Sequence, residues 1–186
     1  MKHLLLSCTI LGIALLCLPA NAQTEFGLHS IGGSLNYVIP EDPLDPTFGI
    51  DVVAELADLG NGFLLEGGLS YWKAEFDETE FYGNTYTVSL QDVALRAGTR
   101  YLIGDGKTVP FVGGGIGIHQ YAATAEYNGV TYATAYSDGT EFGLYLLGGV
   151  ETEFSKNLLG NAQLRFDIAD ADAISINLGL SYLLGE

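Results

Sequence analysis

The sequence predicts an all-β fold, an eight-stranded antiparallel up-and-down transmembrane β-barrel, on three observations. Eight segments alternate apolar and polar residues with period two, the pattern of strands that face an apolar medium on one side. Tight turns alternate with longer polar connections, so one end of the sheet is short-looped and the other long-looped. All three arginines, Arg96, Arg100 and Arg165, fall in the polar phase of their strands. On the apolar phase each would cost about 2–4 kcal/mol at the bilayer midplane, so the phase is a test the sequence could have failed.

Residues 1–22 read as a secretory signal peptide. Lys2 gives the basic start, Leu4 to Leu18 the apolar core, Pro19 the break and Ala20-Asn21-Ala22 a small-x-small cleavage site. The barrel domain then occupies residues 23–186. Both cysteines, Cys8 and Cys17, lie in the leader, so the mature chain holds no disulfide framework and no thiolate metal site. Beyond the leader no apolar run reaches the length of a transmembrane helix. An integral protein of this kind must therefore be a barrel, because lipid leaves backbone groups no other partners. The 23 acidic residues against 7 basic ones argue against a nucleic-acid partner, which needs positive charge.

The apolar faces follow in order. The first segment presents Ile31, Gly33, Leu35 and Tyr37, and the second Phe48, Ile50, Val52, Ala54 and Leu56. The third presents Phe63, Leu65, Gly67, Leu69 and Tyr71, and the fourth, from Val93, adds Leu95, Ala97, Tyr101 and Ile103. The fifth presents Val112, Gly114, Ile116 and Ile118, the sixth Phe142, Leu144, Leu146, Gly148 and Val150, and the seventh Ala162, Leu164, Phe166 and Ile168. The eighth, Ile174 to Leu184, presents Ile174, Ile176, Leu178, Leu180, Tyr182 and Leu184, with Ser175, Asn177, Gly179 and Ser181 opposite. Gly60-Asn61-Gly62, Gly104 to Thr108 and Ser155-Lys156-Asn157 are the tight turns. Ile39–Thr47, Asp77–Asn84, Ala123–Thr140 and Ala169–Ala173 are the outer connections; within the third, Val130 to Tyr136 also alternates and is expected to extend a hairpin around Asn128-Gly129 above the membrane. Strand-end aromatics, among them Tyr37, Tyr71, Trp72, Tyr101, Tyr121, Tyr145, Phe154 and Tyr182, are candidates for interfacial girdles.

Asn177, Gly179, Tyr182 and Leu184 resemble the C-terminal assembly signal of bacterial outer-membrane barrels: a polar residue, a glycine two on, an aromatic three further, then a hydrophobic one. Such barrels usually stop at an aromatic, whereas this chain runs on through Leu184-Gly185-Glu186. The fifth segment, PFVGGGIGI, is similar to a glycine-rich strand of the same group. On these features the whole mature chain resembles the small eight-stranded outer-membrane barrels, the OmpA-barrel-like and OmpX-like group. The resemblance implies a location in the bacterial outer membrane among lipid and lipopolysaccharide. It also implies assembly by the barrel-assembly machinery, a monomer, and no peptidoglycan-binding domain after the barrel.

The polar phase supplies the candidate site, a lumen charge network of Asp51, Glu55, Glu66, Asp92, Arg96, Arg100, His119, Glu151, Arg165 and Asp167, with Glu153, Asn161 and Gln163 in the same phase. Eight strands enclose a space about wide enough for side chains to fill. The first reading is a plugged interior with a structural or surface-interaction role; the alternative is a narrow porin-like channel in which these charges exchange partners. The outer loops are acidic, with Glu41, Asp42, Asp45, Glu75, Asp77, Glu78, Glu80, Glu126, Asp138, Glu141, Asp170 and Asp172. They read as a solvated surface, or as carboxylates sharing divalent cations with lipopolysaccharide phosphates. Loops are also where an extracellular partner would bind. Some barrels of this group modify lipid A with a His and a Ser or Asp, but the mature chain has only His29 and His119 and none of those motifs. A soluble lipocalin-like barrel is disfavoured by the charged inner phase. The reading is no enzyme, no cofactor and no metal.

Overall fold

In the computed structural model, which describes residues 25–76, 79–81, 84–128, 130–136 and 140–184, every regular element is a strand. The expected leader, residues 1–22, lies outside the described residues. The strands are β1 (Glu25–Pro40), β2 (Thr47–Gly60), β3 (Phe63–Glu75), β4 (Thr79–Phe81), β5 (Asn84–Leu102), β6 (Thr108–Tyr127), β7 (Val130–Tyr136), β8 (Glu141–Ser155), β9 (Leu158–Ile168) and β10 (Ala173–Leu183). Eight of them close a barrel in the order β1-β2-β3-β5-β6-β8-β9-β10, all pairs antiparallel. The ring shuts where β10 pairs with β1, from Ser30↔Leu183 to Pro40↔Ala173. The short β4 and β7 lie on β5 and β6 at the long-hairpin end.

Alternation does what the sequence predicts. Ile31, Leu35, Ile50, Val52, Leu69, Leu95, Val112, Leu144, Leu146, Leu164, Ile176 and Leu178 all stand exposed on the outer wall. Their partners in the other phase are buried in the lumen. An exposed apolar belt this continuous is lipid-facing surface, since a soluble monomer rarely exposes such an area. The tight turns fall where expected, and Gly60, Asn61 and Gly62 take φ of 79°, 54° and 83°, left-handed conformations open to glycine and tolerated by asparagine.

One hairpin is longer than the pattern predicts. The alternating pattern of the fourth segment starts at Val93, but β5 begins at Asn84 and pairs with β6 from Tyr86↔Tyr127 to Leu102↔Phe111. In the Ala123–Thr140 connection β6 runs on to Tyr127, and β7 takes the Val130–Tyr136 stretch expected to extend the hairpin, with Asn128 at φ 49° between them. The stretch Ala122 to Ala125 is built of alanine and threonine, which mutes the contrast that marks an alternating strand. Within the Asp77–Asn84 connection, β4 stands where a plain loop was expected.

The phase makes a direct prediction. Leu95 lies on the outer wall between Leu69 and Ile118. Leu95→Arg is expected to lower folding free energy in lipid vesicles by about 2–4 kcal/mol, read as a shift of the urea midpoint. An unchanged midpoint would mean that this face does not meet lipid.

Candidate functional site

The site is the barrel's interior, and β6 makes room for it. Its inward residues run Phe111, Gly113, Gly115, Gly117, His119 and Tyr121. Three successive inward glycines leave a side-chain-free track on that wall. Long side chains from neighbouring strands lie over it. The Tyr145 hydroxyl sits where a Cβ on Gly98 would be, and 2.8 Å from where one on Gly115 would be. The His119 ring folds over Gly117 and Gly143, its Nε2 2.6 Å and 3.0 Å from their Cβ positions.

Three tiers of charge follow from the tight-turn end outward. In the first, Arg100 holds two carboxylates, Glu66 through Nε (3.0 Å) and Glu151 through Nη1 (2.7 Å). Its guanidinium lies 4.9 Å above the Phe111 ring, a favourable cation–π placement. Glu55 joins this tier and accepts a 3.4 Å hydrogen bond from Ser30. In the second, Arg165 donates from Nε to Asp167 at 2.9 Å and from Nη1 to Asp51. Arg96 faces the same two carboxylates, 3.7 Å from Asp51 and 3.2 Å from Asp167. In the third, His119 Nδ1 and Asp92 Oδ2 pair at 2.9 Å, and the imidazole stacks on Tyr121.

Above these tiers lies an apolar lid. Val38, Trp72, Ala74, Tyr121 and Ala173 form a buried cluster, with Leu44, Leu90 and Ala171 packed against it. Leu44 and Ala171 come from the two loops at the hairpin end, which are tied in by Glu41 N–H to the Asp172 carbonyl and Asp45 N–H to the Glu75 carbonyl. Trp72, Tyr121 and Tyr145 are therefore corrections to the girdle set: all three point inward and are buried. Phase alone places them, since Trp72 is in phase with Glu66, Tyr121 with His119 and Tyr145 with Glu151. Tyr37, Tyr71, Tyr101, Phe154 and Tyr182 do face outward. Glu153 keeps the register of Glu151 but is exposed, because β8 has reached the barrel rim there, where residues 153–156 are all exposed.

The structure thus places all ten charge-network candidates in the lumen and groups them as Arg100 with Glu55, Glu66 and Glu151; Arg96 and Arg165 with Asp51 and Asp167; and His119 with Asp92. The second tier balances charge, two against two. The first leaves carboxylate in excess. A cavity of about 70 Å³ lies between these two tiers, lined by Asp51, Glu66, Arg96, Arg100, Tyr145 and Arg165. That volume suits a few waters, at about 10–15 Å³ each by this measure. The His119–Asp92 pair is closed off from both lipid and solvent, each residue at most 2 % exposed.

Of the terminal-strand residues, Asn177 is fully buried opposite Asn36 at the β1–β10 seam. It donates to Ser175 Oγ at 3.3 Å, and Ser34 donates to Asn36 at 2.9 Å. A Cβ on Gly179 would meet Asn161 Oδ1 at 2.9 Å and Ser34 Cβ at 3.0 Å, so the seam closes tightly only over glycine. Tyr182 and Leu184 face outward.

A closed barrel with an apolar outer wall and an interior of paired acidic and basic side chains defines an integral membrane β-barrel. The chain belongs to the outer membrane protein beta-barrel domain family, whose description matches residues 8–183, which places it in the bacterial outer membrane. Solved structures share the fold at low identity. OprG from Pseudomonas aeruginosa has a TM-score of 0.59 at 10% identity, over 89% of this chain and 100% of that one. Neisserial surface protein A has 0.55 at 12%, over 83% and 96%. Ail, the attachment invasion locus protein of Yersinia pestis, solved with the heparin analogue sucrose octasulfate, has 0.51 at 15%, over 83% and 96%. A sequence search of curated proteins finds no match.

Proposed function

We propose that the protein is a non-conducting outer-membrane barrel whose ionised interior braces the wall and whose outer end is an interaction surface. The observation that carries this reading is the succession of an apolar lid and three charge tiers along one lumen. Leu44 and Ala171 pack the lid from the loop side. A narrow channel is the second reading, favoured by the cavity beside Arg100 and the carboxylate excess around it; it requires Arg96 and Arg100 to exchange partners. Planar-bilayer recording on the refolded protein decides between them. The expected result is a silent membrane, and resolved conductance steps would replace the plug with a channel.

The same reading takes residues 1–22 as a leader removed after Ala22. It takes Asn177, Gly179, Tyr182 and Leu184 as the strand end presented to the assembly machinery, with the finished barrel a monomer. The surface's charge narrows its partners. Glu41, Asp42, Asp45, Asp170 and Asp172 are exposed at the outer end. Beyond the leader, the arginines are in the lumen and Lys107 and Lys156 in the tight turns, so Lys73 is the one basic residue at that end, and it pairs with Glu126. A polyanion of the kind bound to Ail would be repelled here.

A further inference from the structure

The β5–β6 hairpin continues past the lid as an arm, and the two faces of the arm differ. The lumen phase of β5 runs outward from Asp92 through Leu90, Val88 and Tyr86, and that of β6 from Tyr121 through Ala123, Ala125 and Tyr127. Leu90 packs on the lid. Beyond it, Val88, Tyr86 and Tyr127 are exposed, with the two tyrosine rings 4.9 Å apart. β7 widens the same face with Ala133, paired to Ala125, and Val130, paired to Tyr127 and 67% exposed. The opposite phase is Thr85, Thr87, Ser89, Gln91, Ala122, Thr124 and Glu126, with Ser89 and Ala122 buried near its base. The phase that lines the lumen therefore continues above the lid as an exposed apolar sheet face, while the other side is hydroxyl-rich and partly covered, with Glu126 paired to Lys73.

The floor below this wall is acidic. The loops that close the lid carry the exposed Glu41, Asp42, Asp45, Asp170 and Asp172, and their backbones are fixed against one another and against β3. An apolar wall standing over a carboxylate floor complements one kind of molecule, a segment with apolar side chains on one side and cationic ones on the other. A second copy would bring its own carboxylates to the same floor, and lipopolysaccharide would bring phosphates. Charge disfavours both.

We propose that the inner face of the arm and the acidic cap together bind a cationic amphipathic peptide segment of another protein. The proposal rests on the reading of the outer end as an interaction surface and names the chemistry of what it takes. The apolar residues hold the body of the segment, and the cap carboxylates take its lysines or arginines as charge-assisted pairs.

The test uses the full protein in lipid nanodiscs and fluorescent probe peptides followed by anisotropy. One probe alternates lysine with leucine, a second lysine with serine, and a third glutamate with leucine. The lysine–leucine probe is expected to bind and the other two to bind at least about tenfold more weakly. The double variant Tyr86→Ser with Tyr127→Ser leaves the barrel wall untouched and is expected to weaken the lysine–leucine probe about tenfold. Neutralising part of the cap with Glu41→Gln, Asp42→Asn and Asp45→Asn, which leaves Asp170 and Asp172, is expected to do the same and to reduce the salt dependence of binding. Equal binding of the lysine–leucine and lysine–serine probes, or no effect of the tyrosine variant, would reduce the site to general attraction for cations and overturn the proposal. So would arm-dependent retention of lipopolysaccharide or self-association in place of peptide binding. A silent bilayer with no peptide bound defeats this inference alone, whereas a conducting one defeats the plug reading.

Discussion

Arg165→Leu is expected to move the urea midpoint of the refolded barrel further than any other single change in the lumen. Arg165 donates to both Asp51 and Asp167 and is 4% exposed. Its loss leaves those two carboxylates with Arg96 alone, which stands 3.7 Å from one and 3.2 Å from the other. Breaking a buried ion pair from one side costs about 3–5 kcal/mol, because the remaining charge stays dehydrated. Adding Asp167→Asn to the variant should recover much of that loss, since Arg96 then faces Asp51 alone. Arg165→Lys should fall between, because one ammonium cannot reproduce a planar fork to two acceptors. A midpoint unmoved by Arg165→Leu would mean that the second tier is solvated, and the channel reading would gain.

The second large effect is expected at a glycine. Gly115 lies on β6 opposite Gly98 of β5 and Tyr145 of β8. A Cβ there would stand 2.6 Å from the Gly98 Cα and would press on the Ala97 carbonyl as well as the Tyr145 hydroxyl. Two of those neighbours are backbone held in the barrel ladder, so they cannot step aside as a flexible side chain would. Gly115→Val should evict Tyr145 or part β5 from β6, with about 1–3 kcal/mol from overpacking alone. On an unboiled gel the folded band should weaken, and Gly115→Ala should show the same loss to a smaller degree. Gly148→Val is the contrast: it stands on the outer wall, where the nearest atom to its Cβ position is 3.7 Å away, and should fold as wild type. Equal yields for Gly115→Val and Gly148→Val would show that the inward track is not tightly packed.

The wall of this barrel was legible because lipid enforces a single rule along every strand. Leu35, Leu95 and Leu178 had to face outward, and Arg96, Arg100 and Arg165 had to face inward, so phase alone placed them. What phase does not contain is relative height. That Arg165 rather than Arg100 meets Asp51 depends on the stagger between strands distant in sequence, which only the closed ladder sets. The lid was missed for another reason. Trp72 and Tyr121 stand near strand ends, where aromatics commonly anchor at the interface, although their phase points them inward. The arm is legible only in part: Asn128-Gly129 and the alternation from Val130 to Tyr136 mark its tip, which β7 follows, whereas alanine and threonine fit either face of a strand, so Ala122 to Ala125 do not show that β6 continues into it.

The pairing of β1 with β10 sets an order of events. The first strand made must wait for the last before either has a full set of hydrogen-bond partners. Closing so long a loop is slow on entropic grounds, and an open seam cannot be left exposed in hydrocarbon. Until the chain's two ends meet, each carries an unpaired strand edge, which something other than hydrocarbon has to cover.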